Sequence, residues 1–151
     1  MIRVLKTLTT LLAVVGLFLV LGGGTASADP YWQPVTETSK FHCTSVAHPT
    51  HLVTVKSCVV VNGNATQAVA IVANYGTTAI SLEAPHVALY VNGPISYDRN
   101  CLSSTLNGGF TRACFAPTQQ RPCSAVVQAW ANLLVQGYSF EIWSPARQMC
   151  T

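Results

Sequence analysis

Four histidines, five carboxylates and six cysteines are the side chains of this 151-residue chain equipped for chemistry. His42, His48 and His51 fall close together, and His48-Pro49-Thr50-His51 has the short spacing used by zinc-binding pairs. Pro49 puts that pair in a turn instead of on one helix face. No Asp or Glu lies nearby to complete or orient a metal shell. The three therefore read as polar turn residues, and no metal is expected. His86 follows Pro85 at a strand start and reads as a partly buried edge residue.

A serine nucleophile needs a base and an orienting acid, and no GxSxG turn is present. Glycoside hydrolysis needs two carboxylates flanking one bond. The candidates are Glu37, Glu83, Asp98 and Glu141, scattered along the chain. No glycine-rich phosphate loop leads into a helix. Cys43, Cys58, Cys101, Cys114, Cys123 and Cys150 are even in number and never in CxxC spacing, which reads as three disulfides and removes the thiol nucleophile. Six cysteines allow fifteen connectivities. The favoured one joins neighbours in order: Cys43–Cys58, Cys101–Cys114 and Cys123–Cys150. Neither catalysis nor a cofactor is expected.

Two stretches read as contact surface instead. CFAPTQQRPC, 114–123, is bounded by cysteines and stiffened by prolines, so it loses less entropy on binding. Presented to a hydrolase as an inhibitor loop, it would offer Phe115 or Arg121. Pro122 directly after Arg121 is unusual at a scissile position, and a cross-connection between sheets is the preferred reading. The second signal is aromatic: Tyr31, Trp32, Tyr90, Trp130, Tyr138 and Trp143. Exposed Trp and Tyr suit sugar or protein contact. Trp130 shares the polar side of its strand with Gln128 and Asn132. It can face solvent there, or pack under the 94–124 loops, which is the preferred placement. Trp32 is the contact candidate of the N-terminal arm.

These residues need a scaffold, and its pattern is β almost throughout. Residues 52–61 alternate, with Val53, Val55, Val59 and Val61 on one face. Asn62-Gly63 predicts a type I′ hairpin turn. The return run, 66–75, puts Val69, Ile71, Ala73 and Tyr75 on one side. Residues 79–91 read as two short strands around Ala84-Pro85, the second pointing Val87, Leu89 and Val91 inward before an Asn92-Gly93 turn. Residues 94–124 are irregular, with a short hairpin around Gly108-Gly109 tied by Cys101–Cys114. Residues 125–136 fit a strand's period of two through Val127, Ala129, Ala131, Leu133 and Val135. Their Ala and Leu content also suits a helix, and the flanking strands favour strand. Gly137 turns the chain into a last strand, 138–143. Seven or eight short strands in this rhythm make an all-β, antiparallel sandwich, immunoglobulin-like in the broad sense.

In front of it, Arg3 and Lys6 precede an apolar run, Leu11 to Leu21, and then Ala26-Ser27-Ala28. This is the layout of a signal peptide over 1–28. The run is short for a membrane span of about 20 residues, and no later stretch approaches that length. Residues 29–40, with two prolines, form an N-terminal arm, and 41–151 one domain. After removal of 1–28, six basic and five acidic residues remain. No two of those basic residues are neighbours, so the clustered stripe that nucleic acid requires is absent.

TASADP, the NGNxTQAV hairpin and the segment CLSSTL…GGF…ACF resemble small secreted β-rich proteins of actinobacteria of uncharacterised function. The resemblance implies export from a Gram-positive cell and names no activity. The sequence thus predicts a secreted, non-catalytic β-sandwich that binds a protein or a cell-envelope glycan, at the cell surface or beyond it. The alternative is an inhibitor of an extracellular hydrolase acting through 114–123.

Overall fold

A computed structural model describes residues 31–150 of the chain; the expected signal peptide lies outside the described residues. Eleven strands and no helix occur among them: β1 (Phe41–Ala47), β2 (Val53–Asn62), β3 (Ala65–Asn74), β4 (Ile80–Val91), β5 (Ile95–Asn100), β6 (Ser104–Leu106), β7 (Thr111–Phe115), β8 (Gln119–Gln120), β9 (Val126–Val135), β10 (Tyr138–Trp143) and β11 (Arg147–Gln148). β6, β8 and β11 are only two or three residues long. Of the other eight, β2, β3, β4, β9 and β10 fall in runs that the sequence reads as strands, whereas β1 and β5 are additions and β7 lies where a short hairpin is expected.

All pairings are antiparallel. One sheet runs β1-β2-β3-β7, with β8 beside β3; the other runs β10-β9-β4-β5, with β6 on β4 and β11 on β9. Two such sheets packed on a shared apolar core make an immunoglobulin-like sandwich in architecture. Val53, Val55, Val59 and Val61 of β2 point into it, as do Val87 and Leu89 of β4 and Val127, Ala129, Ala131, Leu133 and Val135 of β9. Alternation resolved 125–136 correctly as a strand, with Ala and Leu filling the narrow inter-sheet space.

β3 departs from the expected pattern. Ala68, Ala70 and Val72 face the sandwich core, whereas Val69 and Ile71 lie on the opposite face in a small cluster with Cys58 and Ala113. Every residue from Ala68 to Ala73 is apolar and buried, so alternation carries no information there. The outer cluster is closed by Val35, Phe41, Val60, Phe115 and the Cys43–Cys58 disulfide. Gln33 of the arm exchanges two backbone hydrogen bonds with Ala113, 2.9 and 2.8 Å. The arm thus crosses the first sheet and covers part of its outer face.

Three local details also differ from the sequence reading. The β2–β3 turn is one residue further on: Asn62 pairs with Ala65, and of the central pair only Gly63 has positive φ, 62°. Positive φ at the first central position alone belongs to type II′. Asn92 and Gly93 do both adopt positive φ, as type I′ requires. Residues 80–91 form one strand, broken in register between Glu83 and His86. Ala84, φ 44°, sits at the break. That bulge lets β4 pair with β6 before it and β5 after it.

Finally, no hairpin surrounds Gly108-Gly109. β6 pairs with β4 and β7 with β3, so the chain crosses from one sheet to the other there. Cys101–Cys114 spans the same gap, with both cysteines buried in the main core. Cys123–Cys150 ties the tail to the segment before β9. Among the described residues no helix is long and apolar enough to cross a membrane. Three disulfides are the mark of a chain that folds in an oxidising compartment.

Candidate functional site

The outer face of the second sheet is built by alternation. On β9, the positions between the buried ones are Gln128, Trp130, Asn132 and Leu134, all half-buried. On β4 the same face carries His86, Ala88 and Tyr90, placed opposite Asn132, Trp130 and Gln128. On β10 it carries Glu141 and Trp143, opposite Asn132 and Trp130. On β5 it carries Asp98, opposite Ala88. Cross-strand partners share a face, so four strands contribute to one surface.

The rings on it touch. Trp130 and Trp143 have centroids 6.3 Å apart, Trp143 and Tyr90 4.7 Å, and Trp130 meets His86 edge-on at 5.3 Å. Ala88, in the middle, is fully buried; its small side chain leaves room for larger neighbours to close over it. Polar groups hold the rings. The Trp130 indole N–H donates to Glu141 Oε1 at 3.1 Å. His86 Nε2 lies 3.2 Å from Asp98 Oδ2. Ser144 fixes the end of β10: its backbone N–H donates to the Ala129 carbonyl, and its Oγ accepts from the Ala129 N–H. Gln128 donates to the Ser144 carbonyl. Trp143 remains 41% exposed, although it sits in the middle of this network.

Trp130 is therefore on the outer face with polar neighbours. Its ring partners and its hydrogen-bond acceptor come from β4 and β10, not from the 94–124 segment that was the preferred cover. The other three contact candidates are elsewhere. Phe115 is half-buried in the outer cluster of the first sheet. Trp32 packs against the core between the sheets, and its indole N–H donates to the Leu102 carbonyl at 2.9 Å. Arg121 donates to Ser96 Oγ and to Gln119 Oε1. The 114–123 segment lies along β3: Ala116 N–H donates to the Ala68 carbonyl and Arg121 N–H to the Asn64 carbonyl. The structure does not bring these three to Trp130.

Among the described residues no group of three or more His, Cys, Asp or Glu is placed to hold a metal ion. His48 is buried, with Nδ1 accepting from the Thr50 N–H at 3.2 Å and Nε2 3.1 Å from the Val135 carbonyl. The Nδ1 contact makes Nε2 the protonated nitrogen of the neutral ring. The histidine is a plug at one end of the sandwich, flanked by Tyr138 and Phe140. A shallow cleft of about 160 Å³ at the sheet edge is lined by Trp32, Ser104, Asn107, Phe110 and Arg112.

The sequence reading missed the grouping of His86, Tyr90, Glu141 and Trp143 around Trp130. A usable signal was present. Gln136-Gly137 is a two-residue turn pairing Val135 with Tyr138, and that register sets Trp130 against Trp143.

No family model matches the chain, and no curated protein matches it. Among solved structures, one that it resembles is the GAE domain of GGA2p from Saccharomyces cerevisiae. That likeness has 14% identity and a TM-score of 0.36, covering 71% of this chain and 96% of that one.

Proposed function

We propose that the protein is an exported, non-catalytic binding module that holds a cell-envelope glycan on the outer face of the β10-β9-β4-β5 sheet. The observation that carries this reading is the contrast between the two outer faces. The first sheet's apolar outer side chains are covered by the arm and by Cys43–Cys58. The second sheet leaves Trp130, Trp143 and Tyr90 together at the surface, among Asn132, Glu141 and Asp98. Aromatic rings offer apolar area to the C–H face of a sugar, while amides and carboxylates bind its hydroxyls. Asn132 stands between Glu141 and His86, beside both tryptophans.

The inhibitor alternative needs segment 114–123 to offer its backbone to an enzyme. Ala116 and Arg121 already commit theirs to β3 and to the β2–β3 turn, which favours the glycan reading.

Affinity electrophoresis through gels containing purified envelope polysaccharides tests it. The protein should be retarded, and Trp130→Ala and Trp143→Ala should each restore free mobility while circular dichroism stays unchanged. Free mobility of the wild-type protein in every such gel would overturn the proposal.

A further inference from the structure

The charge on the aromatic face narrows the ligand further, granted that the face is the binding surface. β4, β9 and β10 contain no Lys or Arg at all. The one arginine of β5, Arg99, pairs with the core residue Val87 and so lies on the inward side. The face does carry Glu141 and Asp98. Glu141 uses Oε1 for Trp130, and Asp98 uses Oδ2 for His86. These carboxylates sit on the two edge strands of the face, Glu141 on β10 two residues from Trp143 and Asp98 on β5, with Trp130 on a strand between them. Three strand spacings separate those strands, about 14 Å at the usual spacing. An extended ligand lying obliquely across the strands meets Glu141, then Trp130, then Asp98.

Such a surface attracts positive charge twice. Carboxylates do so directly, and the faces of Trp and Tyr do so through the ring quadrupole. A polyanionic glycan would be disfavoured, because no Lys or Arg side chain on this outer face offsets the acids and its one histidine, His86, is already held by Asp98. We propose that the site selects glycan chains bearing free amino groups, that is, polymers of de-N-acetylated amino sugar, over their neutral N-acetylated forms. The pyranose C–H faces stack on Trp130 and Trp143. The protonated amines sit against Glu141 and Asp98, and Asn132 takes hydroxyls between them.

The test is titration calorimetry with two defined probes, a fully N-acetylated and a fully deacetylated β-1,4-glucosamine oligomer of equal length. It is run at low salt and at a pH where the amines are protonated. The deacetylated oligomer should bind more tightly by about three- to tenfold, and added salt should erase the difference. Glu141→Gln and Asp98→Asn should each reduce the preference, and the double variant should abolish it while retaining binding of the acetylated probe. Trp130→Ala should weaken both probes together.

Equal binding of the two oligomers overturns the amine preference and leaves the glycan reading standing. Binding of neither overturns both. If a lysine-rich peptide of matched charge binds more tightly than the deacetylated oligomer and competes with it, the ligand is a basic protein segment and the proposal fails. Because Glu141 and Asp98 are both exposed, their amide variants leave the core intact. Thermal melts of each variant confirm that a lost preference is not lost fold.

Discussion

His42 shows how a single side chain can make this molecule sensitive to acid. Burial holds its pKa below the ordinary 6.5, and the positive charge of Arg147 adds to the effect. The protonated form is thus harder to reach in the folded chain than in the unfolded one. Above pH 6.5 both states are neutral there and nothing is lost. As pH falls through that value toward the lower folded one, the unfolded state takes up its proton first and stability declines. His42→Gln should flatten this part of a melting-temperature profile, and an unchanged profile would show that other groups set the acid limit. At the same scale, the inward residues of β2 and β9 were legible from period two alone. Trp130's surroundings were not, since an aromatic residue on a polar side fits both a solvent face and a loop-covered one.

Strands and turns were readable where local chemistry has one outcome. Asn92-Gly93 adopts the two positive φ values expected of it. Asn62-Gly63 did not settle its own register, because Asn64 beside it competes for a place in the turn. Residues 68–73 were opaque for the opposite reason: both faces of β3 are apolar, and only the arm and the first disulfide explain why. The interruption in β4 was visible as Ala84-Pro85, but its role was not. A bulge there passes the strand from one partner to another, which depends on residues some twenty positions away. Ala84 carries a left-handed φ of 44° at an exposed site, costing roughly 1 kcal/mol relative to glycine. Ala84→Gly should therefore raise the unfolding free energy by up to about that amount, seen as a higher urea midpoint with an unchanged slope. A lower midpoint would mean that the alanine methyl makes a contact worth more than the strain.

For the whole molecule, the disulfides divide the work. Cys43–Cys58 staples two strands that are already direct partners. Cys101–Cys114 joins the two sheets through the core. Their sequence separations are similar, 15 and 13, so chain entropy predicts about 3 kcal/mol for each. Replacing the buried inter-sheet pair by alanines should cost more than replacing the outer pair, because it also leaves unfilled volume between the sheets. Equal losses in chemical denaturation would show that the interior closes around the gap. Order along the chain favoured one of fifteen pairings, and the structure has that one, while the depth of the bridges required the crossover between β6 and β7.

The arm that crosses the first sheet also fixes which way the molecule faces. Trp32 lies between the sheets with its indole on the Leu102 carbonyl, Gln33 is bonded to β7, and Val35 rests on the outer face of the first sheet, so the arm joins the domain at the sandwich edge beside β5, β6 and β7. A fluorophore or partner fastened at Tyr31 is therefore attached at that edge. Held by that edge, the protein keeps Trp143, on the opposite edge strand β10, away from the support. A sensor surface prepared this way keeps the face clear, whereas a label placed on β10 would sit beside Trp143 and obstruct it.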